Sequence, residues 1–152
     1  MTEMETRVTH EYIDRGFGFP VVLEDVPMIK LRGHWTPRIN FNSLAVEVLR
    51  CLVVLDGRLS GSQVKFVRLH FEMTLQGFAS RFGVTHVAVL KWERTGSKPT
   101  GMGWSTEKDI RLFVSQKLDM KPVDFMAVYN KLETAAKQKS AGIKLGAEKI
   151  AA

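Results

Sequence analysis

From residue 42 onward, apolar residues recur at intervals of three or four. In NSLAVEVLRCLVVL, residues 42–55, Leu44, Val48, Cys51, Leu52 and Leu55 share one helical stripe, with Asn42 or Ser43 as the cap and Gly57 beyond the end. The spacing then predicts three short helices in succession. The first, about 61–72, follows the capping-box pattern Ser60-Gly61-Ser62-Gln63. It places Val64, Val67 and Phe71 on one face and Lys65, Arg68 and Glu72 on the other. The second, about 75–82, starts after Thr74, turns Phe78, Ala79 and Phe82 inward and ends at Gly83. The third, about 85–94, is capped by Thr85. Three helices joined by two or three residues form the core of a helix-turn-helix.

The flanks follow other patterns. Residues 1–16 show no period and are expected to form a loose arm. Two apolar runs, Phe19–Leu23 and Met28–Arg32, have strand character, and Pro20, Pro27, Gly33 and Pro37 confine them to short edge strands. After the loop SKPTGMGW, Ser105 or Thr106 caps a helix over about 106–118, with Ile110, Phe113, Val114 and Leu118 on one stripe. Pro122 opens a last helix to about 136, carrying Phe125, Val128, Tyr129 and Leu132. The expected organisation is an N-terminal segment (1–58), a helical domain (59–136) and a flexible basic tail (137–152).

Composition narrows the function. The chain has 152 residues, 45% hydrophobic and 25% charged, as in an ordinary globular protein. It has no apolar run of membrane-spanning length and no signal-peptide pattern, which together with a single cysteine favours the cytoplasm. Cys51 lies in the apolar run Leu49 to Leu55 and reads as a buried thiol. The net charge of +6 is uneven: residues 1–59 carry seven Lys/Arg against eight Asp/Glu, residues 60–152 fifteen against eight. A basic half that coincides with the three helices suits a polyanion.

In the third helix, Val89 and Trp92 pack under Phe78 and Phe82, and Val84 completes the cluster. The outward set is His86, Val87, Leu90, Lys91 and Arg94. His86 and Lys91 can donate to base edges, and Val87 can meet a thymine methyl. Phosphate contacts are expected from Gln76, Ser80, Arg81, Thr85, Arg94, Ser97 and Lys98. The periodicity does not explain the apolar Leu90.

The span from Leu59 to Gly96 resembles the XRE/Cro-like helix-turn-helix family. The matching residues are Met73-Thr74-Leu75-Gln76-Gly77-Phe78-Ala79, Phe82-Gly83-Val84-Thr85 and Val89-Leu90-Lys91-Trp92-Glu93. The preceding RLSGSQVKFVRLHFEMTL is similar to MqsA- and HigA-type antitoxins, and the likeness extends over about 42–118. Three departures stand out: Leu75 replaces a DNA-contacting Gln, Gly77 replaces an acidic residue, and Arg94-Thr95-Gly96 is one residue longer than the usual end. MqsA-type proteins also carry a zinc site on cysteine pairs, which this chain lacks.

The resemblance implies a mainly α fold, a lambda-repressor-like helical domain preceded by a short strand-containing or α+β segment. It also implies a homodimer that binds double-stranded promoter DNA and a cognate toxin. Toxin contact falls by elimination to the N-terminal segment or the final helices. The terminal Ala151-Ala152 is similar to a bacterial protease-recognition end, although a simple disordered end rich in small residues is the favoured reading. The stripes at 110–118 and 125–132 serve equally as a dimer seam or as intramolecular core.

Two further readings are a stand-alone or phage-type regulator and a helix-turn-helix that binds only protein. An enzyme is not expected. His10, His34, His70 and His86 are scattered, and Gly16-Phe17-Gly18 lacks the third glycine of a nucleotide loop. No catalytic residue, metal, cofactor or membrane partner is expected.

Overall fold

The computed structural model describes residues 4–135 and 142–150, with side chains at all of them except 128 and 131–135. Among the described residues, six α-helices and a four-stranded mixed sheet give an α+β fold, which corrects the expectation of a mainly α fold. Two compact units are present among the described residues: 4–16, 20–48 and 142–150 form one, and 17–19 and 49–135 the other.

The first unit is built on a long strand. Strand β2 (Val21–Leu31) pairs along one edge with β1 (Thr6–Asp14), antiparallel. Its other edge is shared by β3 (His34–Pro37), antiparallel, and β4 (Ile143–Gly146), parallel. Arg32 and Gly33 both have positive φ (51 and 81) and form the two-residue turn between β2 and β3, a geometry whose twist matches the flanking strands.

Pro27 does not divide β2 as the sequence pattern suggests. The interruption is at Asp25, with φ 53. Side chains of a strand alternate between faces, yet Val21 and Leu23 are buried before Asp25, and Val26 and Met28 after it. The left-handed residue therefore shifts the alternation by one position. β1 carries the matching fault, so its residues 6–14 form a strand and not a loose arm. Asp14 and Tyr12 oppose the buried Val21 and Leu23, whereas Thr9 and Arg7 oppose the buried Val26 and Met28. Val8, His10, Glu11 and Ile13 take the uncovered face.

The predicted mobile tail is also corrected. Ile143, Leu145, Ala147 and Ile150 are buried, and the Ile150 carbonyl accepts the Asn40 amide at 2.9 Å. The rest of that tail, including Ala151-Ala152, lies outside the described residues. Helix α1 (Phe41–Val53) begins two or three residues earlier than a cap at Asn42 or Ser43 predicts, because Asn40 provides the cap: its Oδ1 accepts the Ser43 amide at 3.1 Å.

The second unit holds α2 (Gly61–His70), α3 (Leu75–Arg81), α4 (His86–Arg94), α5 (Trp104–Lys117) and α6 (Pro122–Ala135). The capping box at Ser60 is complete, with bonds of 3.2 and 2.9 Å to and from Gln63. Thr74 and Thr85 cap α3 and α4 through the Gly77 and Ala88 amides, at 2.9 and 3.2 Å. Gly103, not Ser105 or Thr106, precedes α5.

Val64, Val67, Phe78, Ala79, Phe82, Val89 and Trp92 are buried together with Ile110, Phe113, Val114 and Phe125. The described apolar stripe of α5 is thus intramolecular core; the side chains of Val128 and Leu132 lie outside the described residues. Edge-to-face rings connect Phe78 to Phe82 at 4.8 Å, Phe82 to Phe113 at 5.6 Å and Phe113 to Phe71 at 5.4 Å.

A fully buried carboxylate lies within this core. Glu107 Oε1 accepts Arg58 Nε at 3.0 Å and the Leu59 amide at 3.1 Å, and its Oε2 accepts Arg111 Nη2 at 2.9 Å. Arg111 also donates to the carbonyls of Val53, Leu55 and Gly57, and Arg58 to that of Met102. The Trp104 ring lies beneath both guanidinium groups, at 5.2 and 5.6 Å. Burial lowers the pKa of Arg111, and the charge of Glu107 opposes that shift.

Removing one partner of a buried ion pair leaves the other charge uncompensated, at a cost of about 3–5 kcal/mol. Glu107→Ala is expected to lower stability by that amount in urea unfolding. Glu107→Gln, which keeps an acceptor for the Leu59 amide, is expected to lose less. A Glu107→Gln variant as stable as the wild type would show that the carboxylate charge has no part.

Candidate nucleic-acid interface

The short helices α3 and α4 pack directly on each other. A short helix is marginal in isolation, so the orientation of α4 has to be imposed by its neighbours. Two contacts impose it. Arg68, on α2, holds Glu93 in a two-pronged pair, Nε to Oε2 at 2.7 Å and Nη2 to Oε1 at 2.9 Å, and donates to the Met73 carbonyl at 3.0 Å. The hydrogen bonds to Glu93 raise the pKa of Arg68. The sequence pattern assigns Arg68 to the outer face of its helix, but it is half-buried and serves as a clasp.

The second contact is at Gly61. A Cβ there would lie 2.2 Å from the Trp92 carbonyl oxygen and 2.5 Å from Thr95 Oγ1. Only glycine lets the start of α2 approach the end of α4 this closely. The Gly61 amide donates to the Lys98 carbonyl at 3.2 Å and the Ser62 amide to that of Gly96 at 3.0 Å, which fixes the loop after α4.

With Val89 and Trp92 buried beneath it, α4 presents His86, Val87, Lys91 and Arg94 outward, all exposed. Val87 retains 49% of its surface. Leu90 is half-buried, so most of the puzzle of an exposed leucine is resolved within the unit.

At the start of α4, Gln76, Ser80, Thr85 and His86 line one cleft of about 620 Å³ with Thr74, Gly77, Ala79 and Val84. The Thr85 hydroxyl oxygen accepts the Ala88 amide within that cleft. Arg81 is displaced from this group. Its guanidinium lies over Phe82 at 5.1 Å and Phe113 at 5.3 Å, and it lines a different cleft with Gln116 and Lys117. Arg94, Ser97 and Lys98 are exposed at the far end of α4.

The electrostatics follow from a single pair. Between Met73 and Lys98 the only carboxylate in the sequence is Glu93, and Arg68 neutralises it. The exposed charges of the segment are then all basic: Arg81, Lys91, Arg94 and Lys98.

Sequence reasoning missed Arg68, Glu93 and Gly61 as positioning residues. Arg68 and Glu93 are 25 positions apart, and no local spacing marks such a pair. Among the described residues, no three His, Cys, Asp or Glu side chains converge on a metal-sized site, and no helix is long and apolar enough to cross a membrane. Comparison with family models, with curated proteins and with solved structures gave no match.

Arg68→Ala leaves a nearly buried carboxylate without its partner, a loss of roughly 2–3 kcal/mol. Amide hydrogen exchange across 86–94 is expected to accelerate by more than exchange across 104–117. Arg68→Lys restores the charge but not the fork and is expected to recover only part of the protection. Uniform acceleration of both helices would count against a local clasp.

Proposed function

We propose that the chain binds double-stranded DNA through α4 and regulates transcription, as an antitoxin that also engages a cognate toxin. The observation that carries the DNA reading is the outer face of α4. It is capped, exposed at its N-terminal end, flanked by bases and cleared of free carboxylate by the Arg68–Glu93 pair. A helix presented in this way suits the major groove.

His86, Val87 and Lys91 are the base-reading set. Gln76, Ser80, Arg81, Thr85, Arg94, Ser97 and Lys98 are the phosphate set. With few donors on α4, methyl contact by Val87 and phosphate neutralisation provide much of the affinity. The side chain of Arg81 rests on Phe82 and Phe113, so it is the weakest member of the phosphate set.

The antitoxin role rests on the family resemblance of residues 59–96. Homodimerisation and a cytoplasmic setting belong to the same reading. A helix-turn-helix that binds only protein is favoured by one feature, the exposed apolar Val87 beside the half-buried Leu90.

Binding of a labelled promoter fragment, followed by fluorescence anisotropy, separates these readings. Affinity is expected to fall steeply with salt, because each neutralised phosphate contributes about 0.9 to the logarithmic slope. Lys91→Ala is expected to weaken binding, and the triple change His86→Ala, Val87→Ala, Lys91→Ala to abolish sequence preference. A correctly folded triple variant that binds like the wild type would refute the role of α4. Rescue of growth when the chain is co-expressed with a neighbouring toxin gene tests the antitoxin role separately.

A further inference from the structure

β1 is an edge strand. One side pairs with β2, and among the described residues no strand pairs with the other. Val8 retains 67% of its surface and Ile13 45%. Exposed edges of this kind are usually blunted by charge. β1 has charged side chains at Arg7, Glu11 and Asp14, but their arrangement is two-fold symmetric. The fault lies at His10, which stands opposite Asp25, and because His10 is exposed like Glu11 the faces exchange between those two residues. Val8 and His10 on one side of this point, and Glu11 and Ile13 on the other, face outward; Arg7 and Thr9, and Tyr12 and Asp14, face the covered side.

We infer that β1 is the seam of a homodimer, in which a second copy adds its own β1 antiparallel, with Arg7 opposite Asp14 and Val8 opposite Ile13. Directly opposed residues of an antiparallel pair share a face. Because of the fault, only one register satisfies this along the whole strand, the one centred between His10 and Glu11. That register also matches every side chain in kind. Arg7 meets Asp14, Val8 meets Ile13, Thr9 meets Tyr12 and His10 meets Glu11, each pair occurring twice about the two-fold axis. Shifting the register by one residue in either direction sets outward side chains against inward ones.

Within one chain Arg7 lies over the Trp35 ring of β3 at 4.2 Å and His10 Nδ1 bonds Asp25 Oδ1 of β2 at 3.0 Å, so both side chains lean toward β2, and the pairing turns Arg7 from Trp35 to Asp14 of the second copy. One oxygen of Asp14 accepts the Gly16 amide at 2.9 Å, which leaves the other for Arg7 of the second copy. Self-complementarity of one patch is what a two-fold interface requires. The inference concerns the sheet unit alone and stands whether or not α4 reads DNA.

Charge reversal tests it on the full chain. Two residues seven apart on one strand are separated by roughly 23 Å, so Arg7 and Asp14 cannot pair within a chain. Sedimentation at micromolar concentration is expected to give twice the mass of one chain. Arg7→Asp alone and Asp14→Arg alone each place like charges face to face at two symmetric positions. Each is expected to weaken the dimer on the order of tenfold or more, and the double reversal to restore it.

A second measurement covers variants that fold poorly. The double substitution Val8→Cys, Ile13→Cys is expected to give a disulfide-linked dimer on mild oxidation, whereas Val8→Cys alone is not, since its two copies lie five positions out of register. A monomeric wild type, a dimer indifferent to the single reversals, or no cross-link between positions 8 and 13 would each overturn the inference.

Discussion

The helical unit depends on the carboxylate of Glu107. It is fully buried, and its two oxygens bind Arg58, Arg111 and the Leu59 amide. Arg111 in turn gathers the carbonyls of Val53, at the end of α1, and of Leu55 and Gly57 in the irregular stretch that follows. Buried carbonyls have to find a donor, and here a guanidinium satisfies three at once. Burying three charged groups is expensive, and well-packed apolar residues often stabilise a core as well. What apolar residues cannot provide is a partner for those carbonyls.

The consequences run along the chain in order. The Leu59 amide is fixed by Glu107, and Ser60 follows as the cap of α2. Gly61 then meets the Trp92 carbonyl at the end of α4, and Arg68, two turns further on, clasps Glu93 on the same helix. α4 is thereby held at two points by α2, while its own core contributes only Val89 and Trp92 as fully buried residues. This division explains how α4 leaves so much of its surface uncovered. Polar contacts on its inner side do work that would otherwise need a wider apolar stripe, and the outer side remains open.

The sequence made the caps and the apolar core of the three short helices legible. Ser60, Thr74, Thr85 and Gly83 act as their residue types suggest, because capping is decided within three or four positions. Val64, Val67, Phe78, Phe82, Val89 and Trp92 were likewise readable from helical spacing. The outward set of α4 followed from that core by subtraction. The buried charges were not legible. Arg58, Glu107 and Arg111 have the composition of a solvated surface, and only the tertiary fold reveals that they meet. The resting place of Arg81 was not legible for the related reason that a ring far along the chain, Phe113, joins the adjacent Phe82 in holding its side chain.

The sheet was hidden by a different mechanism. Strand prediction relies on strict alternation, and a single left-handed residue at Asp25 breaks it in β2 and, through pairing, in β1. On either side of the fault the pattern is regular, but each half is too short to be read as a strand of this length. β4 was obscured by brevity, since four residues cannot establish a period. The same break has a physical consequence. A regular nine-residue strand pairing with its own copy has many face-compatible registers, since each shift by two preserves the faces. A strand whose faces exchange at one point admits only the register that superposes the two faults. The irregularity that concealed β1 in the sequence is therefore also what makes its exposed edge selective.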